Sequence, residues 1–293
     1  MGRLATACGV LIAVVACSPA FAGELDFRLN GIDANQEGIL FGCNGGCSPN
    51  NPAFRDFTTQ LGFVFAPRMA SPAETLGHAG FHVGAMWSGS LVSSDQPYWQ
   101  VTERGQKGGG GQSMLQTLQL DIRKGLPFSF ELGANFMWLA DSELFAPGIE
   151  LRWALNEGYR YLPDIAIRGA VNHMVGNRDL LLTTVAIDGV ISKSFGLGGT
   201  VNLAPYAGWS VIMIAATSRV IDPTPLDEDD ITNNLVFEQR GAASHLAHKL
   251  TAGLRLLVYV VNISVQGEFQ MLPNYETGGS GVTTITTKLG LDY

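Results

Sequence analysis

The side chains that could do chemistry in this chain are its histidines, its charged residues and a pair of cysteines. Acyl hydrolysis would need a serine and a histidine within hydrogen-bond reach, and a third group that orients the histidine. Ser244 and His245 are adjacent in a candidate strand, so their side chains point to opposite faces. His173 and Asp179 could form a dyad, but a pair of this kind often occurs by chance. We therefore expect no enzyme, with a hydrolase at the rim of the fold as the lesser alternative.

Cys43 and Cys47 lie in a glycine-rich stretch, Phe41–Ser48. In an exported protein, such a pair most simply forms a small disulfide. A zinc site would need two further soft ligands nearby, and the redox motif has two residues between its cysteines instead of three. The sequence therefore predicts a disulfide and neither a metal nor a cofactor.

Charged residues recur at alternate positions between apolar ones. In the segment 128–138, Phe128 to Trp138 place apolar side chains on one face, whereas the other face carries Glu131. Successive side chains of a strand point to opposite faces, so such segments have one apolar wall and one polar wall. If the apolar wall meets lipid, the polar wall lines a lumen. The candidate lumen residues are Arg123, Glu131, Glu150, Arg152, Arg168, Asp188, Arg255 and Glu268.

The elements that would position these residues are strands. Alternation and turn residues predict twelve, and no segment predicts a helix. We expect an all-β fold, a transmembrane antiparallel β-barrel of about 12 strands, with 10–14 possible. The predicted strands are 24–30, 54–66, 78–89, 114–123, 127–138, 147–156, 164–173, 179–192, 199–214, 244–259, 262–271 and 282–293.

The amino terminus reads as a targeting segment. A short positive region at Arg3, an uncharged apolar stretch and Ala20-Phe21-Ala22 predict a signal peptide over residues 1–22. A lipoprotein signal with Cys17 as the lipidated residue is the alternative. Residues 23–293 then form the barrel domain. The net charge of −8 argues against a nucleic-acid partner, which would need a basic face.

The end of the chain resembles the closing strand of Gram-negative outer-membrane β-barrels. Leu289 and Leu291 alternate along it, and the chain ends on the aromatic Tyr293. The resemblance implies an outer-membrane location, contact with outer-membrane lipid, and handling by the barrel-assembly machinery and periplasmic chaperones.

The balance of charges on the polar wall sets the expected function. Acids and bases occur together, which suits a weakly selective lumen or an ion-paired one. The sequence favours a narrow porin-like channel for small polar solutes. A non-conducting structural or adhesion barrel is the second prediction, and a lipid-modifying outer-membrane enzyme is the third.

Overall fold

Ten long antiparallel strands close into a barrel in this computed structural model, which describes residues 23–32, 48–159, 161–221, 234–241, 246–271 and 281–293. Each long strand pairs with the next along the chain, and the first pairs with the last. A three-residue strand, β7, extends the hairpin between β6 and β8. The strands are β1 (Phe81–Leu91), β2 (Met114–Leu126), β3 (Phe130–Leu139), β4 (Phe145–Asn156), β5 (Asp164–Met174), β6 (Leu180–Ser192), β7 (Phe195–Leu197), β8 (Val201–Ser218), β9 (Leu246–Val258), β10 (Val261–Met271) and β11 (Val282–Asp292).

The predicted fold class is confirmed, and the strand count is ten instead of about twelve. Ten of the twelve predicted segments coincide with the long strands. The prediction for 24–30 was wrong, because this stretch contains a 3₁₀ turn, Leu29–Gly31, and one isolated bridge at Phe27. The prediction for 54–66 was also wrong, because most of it lies in helix α1 (Asn51–Val64).

Helix α1 lies inside the barrel, and its sequence carries an amphipathic pattern that the strand prediction missed. Asn50 caps the helix by accepting a hydrogen bond from the backbone N–H of Ala53, and Pro52 occupies its first turn. Phe54, Phe57 and Leu61 recur at helical spacing on one face. The polar face is buried as well, and there the amide oxygen of Gln60 accepts a hydrogen bond from the indole N–H of Trp99. Residues from Phe54 to Val64 are almost all buried.

Side chains along the strands alternate between an exposed apolar outer wall and a buried inner wall. Leu120, Ile149 and Leu289 are each about 60% exposed on the outside. Tyr206 points inward instead, where it is buried and donates a hydrogen bond to Gln266. Within the described ranges, no helix combines the length and apolar character needed to cross a membrane.

The two ends of the barrel differ in their connections. At one end, here called the long-loop rim, β1 and β2 are joined by 92–113, and β8 and β9 by 219–245. At the other end, the short-turn rim, the links include 127–129 and 259–260. The short-turn rim is also where β1 begins and β11 ends.

Residues 23–32 lie at the long-loop rim, far from the start of β1. Phe27 bridges Thr102, and the backbone N–H of Leu25 donates to the carbonyl oxygen of Asp141. The chain then runs down through the lumen and reaches β1 at the opposite rim. We call residues 48–76, which occupy the lumen, the plug.

Gly62 of α1 lies directly against the wall of the barrel. A Cβ atom at this position would come within 2.8 Å of the side chain of Ile214 on β8. We expect Gly62→Leu to lower the free energy of unfolding by about 2 kcal/mol, because it overpacks this contact. Gly169→Leu is the matched control, since a Cβ atom there meets nothing within 4 Å. Urea unfolding of the refolded protein measures both, and equal stabilities would contradict the packing of α1 on β8.

Candidate functional site in the plugged lumen

The half of the lumen near the long-loop rim is apolar, and helix α1 fills it. Phe54 stacks on Phe237 with ring centroids 4.7 Å apart, and Phe57 packs edge-on against Trp99 at 5.2 Å. Phe237 and Trp99 belong to the loops of the long-loop rim, whereas Gly62 of the helix lies against Ile214 of the wall. We call this region the apolar tier; its buried members are Phe54, Phe57 and Leu61 of α1 and Leu115, Met137, Leu139, Leu180, Leu182, Ile212 and Ile214 of the strands.

The half near the short-turn rim is lined by charged side chains, and we call it the ionic tier. Acids and bases project inward from the strands in nearly equal numbers. Such a balance lets each buried charge find a partner, without which burial would cost several kcal/mol per ion. The strand residues of this tier are Asp121, Arg123, Glu131, Glu150, Arg152, Arg168, Asp188, Lys249, Arg255, Glu268, Lys288 and Asp292.

Arg168 is the centre of one group of ion pairs. Its guanidinium lies 2.6 Å from the carboxylate of Glu150 and 2.7 Å from that of Asp188. Lys249 lies 3.3 Å from Glu268, which also binds Arg68 of the plug at 2.6 Å. The plug therefore supplies a charge to the ion pairs of the wall.

Glu131 is the centre of a second group. Arg123 lies 2.8 Å from its carboxylate and Arg152 lies 3.8 Å from it. In the same region, Lys288 pairs with Asp121 at 2.8 Å. A third contact again involves the plug, because Glu74 binds Arg255 at 2.9 Å.

The wall also binds the backbone of the plug below α1. An extended segment inside a barrel has no internal hydrogen bonds, so its polar groups need outside partners. Lys249 donates to the carbonyl oxygen of Pro67 at 3.0 Å, and the amide oxygen of Gln266 accepts from the N–H of Ala70 at 2.9 Å. Other donors to plug carbonyls are Asn172 to Phe65, Arg168 to Arg68 and Arg152 to Pro72.

All eight candidate lumen residues project into the barrel, and the structure brings them together in ion pairs. These are Arg123, Glu131, Glu150, Arg152, Arg168, Asp188, Arg255 and Glu268. Sequence reasoning missed Arg68 and Glu74, because it assigned 54–66 to a strand. Residues 67–77 were then left as a supposed turn before the next predicted strand, 78–89. The length of that supposed turn, with Pro67 and Pro72, was the available signal. Cys43 and Cys47 lie outside the described residues, as do residues 1–22.

The described histidines make contacts other than those of a hydrolase. His173 bonds Thr183 through Nδ1 at 2.8 Å, while the carboxylate of Asp179 accepts from the backbone N–H of Leu29. The dyad that His173 and Asp179 could have formed is therefore absent. His82 lies between two carboxylates, 2.5 Å from Asp292 and 3.1 Å from Asp121. Ser244 and His245 lie outside the described residues.

Leu289 and Leu291 lie on the outer wall of β11, and Tyr293 is 79% exposed beyond its end. Strand β11 completes the ring by pairing with β1. The role of Leu289, Leu291 and Tyr293 as an assembly signal stays a prediction.

A closed ring of antiparallel strands with an apolar outer wall is the architecture of a transmembrane β-barrel, since closure leaves no unpaired strand edge in lipid. Ten strands, long loops at one rim and both barrel ends at the other are the arrangement of bacterial outer-membrane proteins. The fold of the chain is therefore that of a transmembrane antiparallel β-barrel.

No family model and no curated sequence matches the chain. It is similar in general architecture to solved structures at low identity. The N-terminal β-barrel domain of Pseudomonas aeruginosa OprF is 10% identical, covering 74% of this chain and 99% of that one with a TM-score of 0.33. An outer membrane channel from Pseudomonas putida F1 is 11% identical, covering 78% and 100% with a TM-score of 0.34. The attachment invasion locus protein Ail of Yersinia pestis is 13% identical, covering 74% and 99% with a TM-score of 0.30.

Replacing Arg168 tests the ionic tier. We expect Arg168→Met to lower the free energy of unfolding by about 3 kcal/mol, because it leaves the charges of Glu150 and Asp188 buried without this partner. Arg178→Met is the matched control, since Arg178 is exposed at the long-loop rim. Urea unfolding followed by the heat-dependent gel mobility of the barrel compares the two. A loss no larger for Arg168→Met than for the control would contradict the ion-paired interior.

Proposed function

We propose that this protein is an outer-membrane barrel that its own plug holds closed, and that it acts as a structural or adhesion barrel presenting the long-loop rim. The observation that carries the proposal is the filled lumen. Phe54, Phe57 and Leu61 are buried in the apolar tier, and the extended part of the plug is bonded to the wall through its backbone.

The apolar tier supports a plug that is a resident part of the fold. Porin lumens are polar because they hold water. Here the inner wall carries Met137, Leu180 and Ile212 at the level of α1, and all three are almost completely buried. Withdrawal of the helix would expose these side chains to water, at about 25 cal/mol for each Å² of apolar surface. The wall is therefore suited to α1 and unsuited to an aqueous pore.

Of the two main functions that the sequence left open, this geometry favours the non-conducting one. The ionic tier fits both, since ion pairs can line a pore or fill a core. The contribution of the plug supports the non-conducting barrel, because Arg68 and Glu74 complete pairs with Glu268 and Arg255. A segment that shares the charge balance of the wall stabilises the closed state.

A non-enzymatic role is part of the proposal. Among the residues that the structure describes, His82 contacts two carboxylates and His173 contacts a threonine, and neither contact is a Ser/His/Asp arrangement. The apolar outer wall supports outer-membrane lipid as the surrounding partner. The alternating end of β11 supports handling by the barrel-assembly machinery.

Conductance in planar lipid bilayers tests the closed barrel. We expect the refolded protein to insert without discrete current steps, because the apolar tier excludes ions. The double variant Phe54→Ser, Phe57→Ser should produce steps, since it removes two aromatic side chains from that tier. Phe128→Ser is the matched control, because Phe128 is 88% exposed at the short-turn rim. Reproducible steps from the unaltered protein would overturn the proposal and restore the channel.

A further inference from the structure

A pocket with a volume of about 270 Å³ lies in the long-loop rim. Two parts of the chain that are far apart in sequence form most of its lining. Residues 26–28 of the N-terminal segment line one part, and residues 176–179 of the turn between β5 and β6 line another. Glu103 and Glu143 complete it. The volume is close to the roughly 300 Å³ at which pockets for small molecules begin.

Hydrogen bonds between these segments fix the shape of the pocket. Both carboxylate oxygens of Asp26 accept from backbone N–H groups, at 2.6 and 2.7 Å, and the second N–H belongs to Glu143. The carboxylate of Asp179 accepts from the backbone N–H of Leu29 at 3.1 Å. These two acids therefore anchor the N-terminal segment on the neighbouring loops. A site whose walls are already fixed loses little conformational entropy when a ligand binds.

Opposite charges line this pocket without pairing with each other. Arg28 and Arg178 are exposed, and neither guanidinium forms an ion pair with a carboxylate of the described residues. The carboxylate of Glu143 has no such partner either, whereas Glu103 pairs with Lys107 at 3.6 Å. Two free guanidiniums and a free carboxylate therefore line one cavity.

The pocket is separated from the lumen by an aromatic contact. Phe27 lines the pocket and is only 5% exposed. Its ring lies edge-on against that of Phe57 of α1, with centroids 5.0 Å apart. Because Arg28 and Arg178 are exposed at the rim, a ligand reaches the pocket without entering the lumen.

We propose that this pocket binds a small zwitterion, whose anionic group contacts Arg28 and Arg178 and whose ammonium group contacts Glu143. A guanidinium binds a carboxylate or a phosphate through two parallel hydrogen bonds. An ammonium group has three donors and no acceptor, so it requires oxygen partners such as a carboxylate. A simple anion would face the four carboxylates of the lining, and a simple cation would leave both guanidiniums unpaired. The inference rests on the proposed function for its setting, because it names what the presented rim recognises.

Binding of ω-amino acids tests the pocket. The probes run from glycine to aminohexanoate, and each carries one carboxylate and one ammonium group at increasing separation. The series therefore also measures the distance between the two ends of the site. Acetate and methylammonium serve as the two half-ligands. Isothermal titration of the refolded protein in non-ionic detergent measures the Kd, and heat-dependent gel mobility establishes that each variant folds.

We expect at least one ω-amino acid to bind at least about tenfold more tightly than either half-ligand, because both ends of the site then contribute to one binding event. Arg178→Gln should weaken this binding about tenfold, because it removes a charged, bidentate donor. Arg219→Gln is the matched control, since Arg219 is also exposed at this rim and lies outside the lining. Glu143→Gln should weaken binding as well, with Glu238→Gln, another exposed acid of this rim, as its control.

Half-ligands that bind as tightly as every ω-amino acid would overturn the zwitterion site. Equal losses in Arg178→Gln and Arg219→Gln would also overturn it, because they would show attraction to the charge of the rim as a whole. Neither result depends on whether the lumen conducts, so the bilayer measurement tests the proposed function separately.

Discussion

The backbone of the extended plug has to find hydrogen-bond partners inside the barrel, and the composition of the inner wall follows from this constraint. An extended chain satisfies none of its own polar groups. Lys249, Arg168 and Arg152 therefore donate to its carbonyl oxygens, and Gln266 accepts from an N–H. Long basic side chains suit this task because each can bind a carbonyl and a carboxylate together. The acids of the wall then neutralise the bases that the plug requires.

The two tiers hold the plug by different physical effects. In the apolar tier, α1 buries aromatic and aliphatic side chains, and their contribution to stability scales with the apolar area buried. In the ionic tier, the extended segment is held by hydrogen bonds from the wall and by the Arg68–Glu268 ion pair. The change occurs where the helix ends, at Val64. A helix satisfies its own backbone and can pack against an apolar wall, whereas the extended segment after it cannot.

The sequence predicted the barrel because alternation records which wall each strand residue faces. Arg123, Glu131 and the other six candidates were placed inside because of this alternation alone. Alternation tells which face of a strand a side chain is on but gives no distance between side chains of different strands. The pairing of Arg168 with both Glu150 and Asp188 could therefore not be derived. The helix was missed although Phe54, Phe57 and Leu61 recur at helical spacing. Burial of its polar face inside the barrel is a property of the tertiary structure that the local sequence does not show.

The path of the chain through the lumen has a consequence for the order of folding. Residues 23–32 lie at the long-loop rim and β1 starts at the short-turn rim, so the ring of strands encircles the plug that connects them. Pushing that segment through a finished ring would carry Asp26 and Arg28 across the apolar tier and dehydrate both charges, at a cost of several kcal/mol each. The seam between β1 and β11 thus closes last. The plug must therefore occupy the lumen before this last pair of strands joins.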